Sequence, residues 1–75
     1  RATNEFDLIF ADPPYEFERT PEIPGLVWEK KLLKSGGFLI MEHAKRTIFP
    51  PSTSYRLAAQ KEFGNTRISF FGHPE

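Results

Sequence analysis

Seventy-five residues make at most one small domain, and a chain this short buries only about 60% of the surface it exposes when unfolded. Ten Lys and Arg balance ten Asp and Glu, so no overall positive field draws in a polyanion, and nucleic-acid binding has to be argued from a local site. The absence of cysteine excludes a disulfide scaffold and a thiolate zinc site and is compatible with a reducing cytosol. No apolar run approaches the roughly 20 residues that span a bilayer and no signal segment begins the chain, so a soluble, cytoplasmic protein without a membrane partner is expected.

The chain opens at Arg1, its single methionine being Met41, and is expected to be a piece of a longer protein. Phe6 to Ala11 is a continuous apolar run bounded by polar residues and prolines, which predicts a strand buried on both faces, as in a parallel sheet. Thr20 to Lys34 has helical composition, with Thr20 and Pro21 or, later, Pro24 as the start. On a helical wheel Ile23, Leu26, Val27 and Leu33 cluster while Trp28 and Leu32 fall elsewhere, so the helix is either covered on two faces or finished before Leu32. Ser35-Gly36-Gly37 predicts the left-handed helix stop, followed by a second strand over Phe38 to Glu42.

This strand, helix and strand order predicts parallel pairing, with a ligand crevice at the strands' C-terminal ends. Thr47 to Ser54, with two prolines and three hydroxyl residues in addition to Thr47, reads as a loop or a broken short helix. Tyr55 to Phe63 and Thr66 to Phe71, separated by Gly64-Asn65, predict a closing antiparallel hairpin.

The chemistry-bearing stretch is Asp12-Pro13-Pro14-Tyr15, at the end of the first strand. Residues before proline are biased to extended backbone, and neither proline has an N–H to donate. Such a stiff turn frees the Asp12 carboxylate and the Pro13 carbonyl as two acceptors, with the Tyr15 ring beside them. Two acceptors and an aromatic face suit the exocyclic amine of a planar base: the acceptors take its N–H bonds and the ring stacks on it. Those hydrogen bonds would stabilise positive charge developing on a nitrogen whose lone pair is otherwise delocalised, and Asp12 could also take the released proton. An isolated Asp-Pro-Pro is more often only a strand terminator; placed after a buried strand and before an aromatic, it favours the functional reading.

"FDLIFADPPY" resembles motif IV of the S-adenosylmethionine-dependent amino-methyltransferases with the class I Rossmann-like fold. "LLKSGGFLIMEHAK" and "KEFGNTRISFF" are similar to the corresponding stretches of the bacterial 16S ribosomal RNA guanine-N2 methyltransferase family. From about Phe6 to Phe71 the order matches, and the resemblance implies an α/β fold that is the C-terminal half of that enzyme's sheet. By that resemblance residues 1–75 are a partial methyltransferase domain, Asp12 and Pro13 are catalytic, and Asp12, Pro13, Pro14 and Tyr15 hold the substrate. Glu42 and His43 match the family's Glu-His pair without an assigned role. Phe63 and Phe71 stand where the family commonly has tyrosine.

The implied cofactor is S-adenosylmethionine and the implied partner is ribosomal RNA or the small ribosomal subunit. The family's glycine-rich cofactor loop and its acidic partner are expected upstream of Arg1, because Gly36-Gly37 precedes a strand and cannot form a helix N-terminus. The resemblance also implies a sheet of the family's fourth, fifth, seventh and sixth strands, leaving Phe6 to Ala11 as an exposed edge open to self-association.

Other groups carry less. Glu42, His43 and His73 are too few for a metal site, and adjacent strand residues point to opposite faces, so no metal is expected. Lys30, Lys31, Lys34, Lys45 and Arg46 read as solvated faces rather than a phosphate patch, and Arg56 and Arg67 are ambiguous. Trp28, Phe38, Phe70 and Phe71 read as packing, and Ser52, Thr53 and Ser54 lack a base partner. The competing functions are a DNA adenine-N6 or glutamine methyltransferase, which share motif IV, and a non-catalytic fragment or interaction module.

Overall fold

The computed structural model describes residues 6–74. It contains strand β1 (Phe6–Ala11), a 3-10 turn (Thr20–Glu22), helix α1 (Ile23–Glu29), and strands β2 (Leu33–Ala44), β3 (Arg56–Phe63) and β4 (Thr66–Gly72). One sheet holds all four strands in the order β1-β2-β4-β3. β1 runs parallel to β2, and β4 lies antiparallel to both β2 and β3. This is the α/β arrangement and the strand order that the resemblance implies.

The helix takes the later of the two starts and ends at Glu29, before Leu32, which is one of the two outcomes the wheel allows. Pro24 sits in its first turn, where a missing N–H costs nothing, but Thr20 does not cap it: the Thr20 hydroxyl donates to the Phe17 carbonyl at 2.8 Å. The stop also lies elsewhere than expected. Lys31, at φ 54°, takes the left-handed position. Leu32 N–H then bonds the Val27 carbonyl at 3.2 Å and Lys31 N–H bonds the Trp28 carbonyl at 3.1 Å. These are the paired bonds of a Schellman motif, which satisfy the last free carbonyls of the helix.

Ser35-Gly36-Gly37 is therefore not the helix stop; it lies inside β2, which begins at Leu33 and not at Phe38. Pairing with β1 jumps from Phe6↔Leu33 to Leu8↔Phe38, so β2 bulges outward across these residues. Gly36 adopts φ 80°, and a Cβ on Gly37 would sit 3.0 Å from the backbone oxygens of Asp7 and Lys34. The two glycines serve the bulge and the close approach of β1.

One face of the sheet carries the core. Val27 of α1 and Leu33, Leu39, Met41, Tyr55 and Phe71 form a buried cluster, flanked by Ile9, Ala11, Trp28, Leu32 and Phe49. Aromatic edges close it: Phe49 and Tyr55 both meet Phe71, at 4.9 and 5.7 Å between centroids. Past β4, the Trp28 indole N–H donates to His73 Nδ1 at 3.0 Å, and His73 Nε2 donates to the Lys34 carbonyl at 2.9 Å. The segment after β4 is thereby tied to both α1 and the start of β2.

The opposite face is apolar and uncovered among the described residues. Leu8 and Phe10 are 57% and 58% exposed, and Phe38 and Phe63 are also exposed. β1 is thus not buried on both faces as its apolar run predicts. It is an edge strand, and no described element packs over its outer side chains.

Candidate functional site

At the C-terminal ends of β1 and β2 lies a hollow of about 80 Å³, lined by Asp12, Pro13, Pro14, Tyr15, Thr20, Glu42, His43, Ala44, Thr47 and Thr66. That is smaller than a typical small-ligand pocket and suits the edge of a planar group rather than a whole ligand. Three strands build it. The parallel register ends at Ala11↔Met41, so Asp12 leaves β1 beside Glu42 on β2. Thr66, at the start of β4, pairs with Ala44 and forms the far wall. All four residues of the proline turn reach this one hollow, at the position expected of an α/β ligand crevice.

Two hydrogen-bonded turns face each other above it. Phe17 N–H bonds the Pro14 carbonyl at 2.9 Å, and Thr47 N–H bonds the Ala44 carbonyl at 3.1 Å. The first turn occupies the Pro14 carbonyl and places Tyr15 at its corner. Among the described residues nothing donates a hydrogen bond to the Asp12 carboxylate or to the Pro13 carbonyl. These two acceptors are therefore open to a ligand, while the next carbonyl along the chain is committed to the fold.

The second turn carries Arg46, whose guanidinium carbon lies 4.6 Å from the Tyr15 ring centroid. Its Nη2 also approaches the Tyr15 carbonyl at 3.5 Å. Read from sequence as part of a solvated face, Arg46 is instead a neighbour of the site. The register contains the signal: in a parallel pair, residues a few places beyond two adjacent strand tips must meet.

His43 is buried and its ring is fully engaged. Its Nε2 lies 2.6 Å from Ser69 Oγ, and its Nδ1 lies 2.8 Å from the Ala44 carbonyl. A carbonyl only accepts, so Nδ1 carries the proton; Ser69 then donates to Nε2 while accepting from the Gln60 amide at 2.9 Å. Burial pushes the His43 pKa below its ordinary 6.5, the Ala44 hydrogen bond opposes this, and the charge of Arg67 adds to the lowering. The neutral ring packs edge-on against Phe49 at 4.9 Å. His43 thus braces the floor of the hollow and has no ring nitrogen free for a metal or a substrate proton.

Glu42, on the opposite side of the strand, lines the hollow without an ion-pair partner among the described residues. Arg67 lies outside the lining and donates to Glu62 at 2.6 Å, with Lys45 3.5 Å from the same carboxylate. Together they hold Glu62 below the usual carboxylate range, the Arg67 hydrogen bond contributing most. The described residues contain no cluster of three or more His, Asp or Glu side chains suited to a metal ion, and no helix long and apolar enough to cross a membrane.

Comparison with known proteins agrees with the resemblance read in the sequence. "Uncharacterized methylase RP545" of Rickettsia prowazekii is 27% identical over 63 residues, which is 84% of this chain and 27% of the relative. "Putative rRNA methyltransferase YlbH" of Bacillus subtilis is 28% identical over 67 residues, or 88% of this chain and 36% of the relative. Among solved structures, "putative methylase HI0767" from Haemophilus influenzae superposes with a TM-score of 0.81 at 23% identity, covering all of this chain and 47% of that one. A conserved hypothetical protein of Streptococcus pyogenes gives 0.79 at 25% identity, covering 99% and 46%. The chain therefore spans about a third of these curated relatives and under half of the solved chains, and its fold is that of part of a methylase sheet. The sequence profile of the family described as "Conserved hypothetical protein 95" matches residues 1–72, and this chain belongs to that family.

Proposed function

We propose that this chain is the substrate-amine half of an S-adenosylmethionine-dependent RNA methyltransferase, acting on the exocyclic N2 amine of a guanine in small-subunit ribosomal RNA in the cytoplasm. The observation that carries the reading is the pair of open acceptors, Asp12 carboxylate and Pro13 carbonyl, in a hollow beside the Tyr15 ring. The methylase and rRNA methyltransferase names of the relatives support it.

In this reading a guanine is turned out of its stack into the hollow. Asp12 and the Pro13 carbonyl accept the two N–H bonds of its amine and fix the direction of the nitrogen lone pair. As the nitrogen forms its bond to the methyl carbon it gains positive charge, which the two acceptors stabilise; one N–H proton then passes to Asp12 or to water. When bound, S-adenosylmethionine would supply the electrophilic methyl group, the sulfur keeping the electron pair of the broken sulfur–methyl bond. The described residues do not supply its main wall. Gly36 and Gly37 lie within a strand and Gly64 in a hairpin turn, so none forms a glycine-rich loop opening a helix. Cofactor binding is assigned to a part of the full-length protein outside residues 1–75.

Glu42 favours guanine over adenine. Guanine presents an N1–H next to its amine, which a carboxylate accepts, whereas adenine presents an N1 lone pair that a carboxylate repels. Guanine is thus the base whose donor edge fits three acceptors in one hollow.

The test is methyl transfer by the full-length protein from labelled S-adenosylmethionine to small ribosomal subunits, deproteinised ribosomal RNA and duplex DNA, followed by nucleoside analysis. N2-methylguanosine in ribosomal RNA is expected. Label in N6-methyladenine or in protein glutamine would replace this reading with one of its competitors, and no transfer to any acceptor would leave the non-catalytic alternative.

A further inference from the structure

We infer that Arg46 is a positioning residue that holds the Tyr15 ring from behind, so that the ring's other face is presented to the target base. This rests on the amine-pocket reading above and extends it to a residue outside the proline motif.

Tyr15 is 53% exposed. Among the described residues its ring has no aromatic partner and its hydroxyl makes no hydrogen bond. A half-exposed ring on a turn would sample several rotamers, and ordering it on ligand binding would cost affinity. Arg46 is the described side chain positioned to prevent that, with its guanidinium carbon 4.6 Å from the ring centroid. Both partners sit on turns closed by backbone hydrogen bonds, Pro14 to Phe17 and Ala44 to Thr47, so the contact joins two fixed points.

The side on which Arg46 lies matters. Tyr15 lines two hollows: the one containing Asp12, Pro13 and Glu42, and an outer one containing Phe17, Arg46 and Ile48. Arg46 lines only the outer one. Tyr15, with Thr20 and Thr47, borders both, the cation lining the outer hollow and the amine acceptors the inner one. A cation held against one face of a tyrosine leaves the opposite face for a base, and a planar guanidinium does this better than a lysine ammonium.

An arginine near an RNA site could instead contact phosphate directly, and a double-mutant cycle separates the two roles. The full-length protein would be assayed on small ribosomal subunits from cells lacking it, as wild type, Arg46→Ala, Tyr15→Ala and the double variant, with Arg46→Lys as the conservative control. Positioning through the ring predicts that Arg46→Ala raises KM for the subunit about two- to fivefold, leaves kcat and S-adenosylmethionine affinity unchanged, and is partly rescued by Lys. In the Tyr15→Ala background Arg46→Ala should add nothing. Multiplicative effects in the double variant, with a shallower salt dependence for Arg46→Ala alone, would overturn the inference in favour of a phosphate contact and leave the amine pocket standing. If Tyr15→Ala transfers methyl with unchanged KM, base stacking on Tyr15 fails and the inference fails with it.

Discussion

His43 Nε2 and Ser69 Oγ lie 2.6 Å apart, joining β2 to β4 directly beneath the proposed base pocket. Nδ1 holds its proton against the Ala44 carbonyl, so in the neutral ring Nε2 accepts from the fully buried Ser69 hydroxyl, which itself accepts from Gln60. Protonating His43 would turn Nε2 into a donor and leave the Ser69 hydroxyl proton without a described acceptor.

The sign of the pH dependence follows. The folded-state pKa is lowered from 6.5, chiefly by burial, so between the two values the unfolded chain binds more protons. This contribution to stability is full above 6.5 and is lost as pH falls through that window. Glu62, also lowered, loses its contribution only as pH falls below its ordinary 4.5, in a separate range. Denaturant melts of the full-length protein between pH 7.5 and 5.5 should show a slope that His43→Gln flattens. An identical slope in the variant would contradict the bridge. Ser69→Ala should cost about 1–3 kcal/mol at pH 7.5, because it strands the buried Nε2 acceptor.

Lys31 supplies a stability prediction of opposite sign. A left-handed conformation costs an L-residue roughly 1–2 kcal/mol, and glycine relieves this while losing somewhat more chain entropy on folding. Lys31→Gly should therefore stabilise the full-length protein by about 0.5–1 kcal/mol. Destabilisation would show that the remaining interactions of Lys31 outweigh its backbone strain.

Both glycine assignments show where sequence reasoning loses its hold. A Gly-Gly pair between a helical and an apolar stretch is compatible with a helix stop or a strand bulge, and nothing local separates them. Lys31 could take the stop because the Schellman bonds and the packing of Leu32 compensate its strain, which is a tertiary effect. The features that were legible are those with a local cause. Phe6 to Ala11 ends where Pro13 and Pro14 interrupt pairing, and Gly64, at φ 55°, opens the two-residue hairpin turn between Phe63 and Thr66. At the site, the position of the proline turn was legible because Pro13 and Pro14 set its backbone locally. Arg46 was not, since only the parallel register brings it to Tyr15.

The uncovered sheet face makes a prediction about the isolated chain. Among the described residues β1 presents an unpaired backbone edge, and Leu8, Phe10, Phe38 and Phe63 form an apolar surface on one side of the sheet. Such edges recruit other chains. Residues 1–75 expressed alone should self-associate in sedimentation velocity, and Leu8→Lys should shift the distribution towards monomer. A monomer that melts cooperatively in both forms would show that this face needs no cover. The same chain should bind no S-adenosylmethionine in calorimetric titration, and micromolar affinity would overturn the assignment of the cofactor wall to other residues.

Glu42 and Asp12 should fail in different ways when replaced. On the proposed reading Asp12→Ala removes an acceptor from the reacting amine, so methyl transfer by the full-length protein should be abolished while S-adenosylmethionine affinity is largely spared; retained turnover would refute the role. Glu42 is assigned the neighbouring N1–H, and its effect should appear in base preference. Subunits reassembled around RNA carrying 2-aminopurine at the mapped target keep the 2-amino group but replace the N1–H with an acceptor. The wild-type protein should prefer guanine by about 10- to 100-fold in kcat/KM, the range for one hydrogen bond to a charged group. Glu42→Gln, whose amide can donate to the bare N1, should narrow or reverse that ratio while lowering transfer to guanine. An unchanged ratio would place the Glu42 carboxylate outside the base contact and return guanine selection to some other part of the full-length protein.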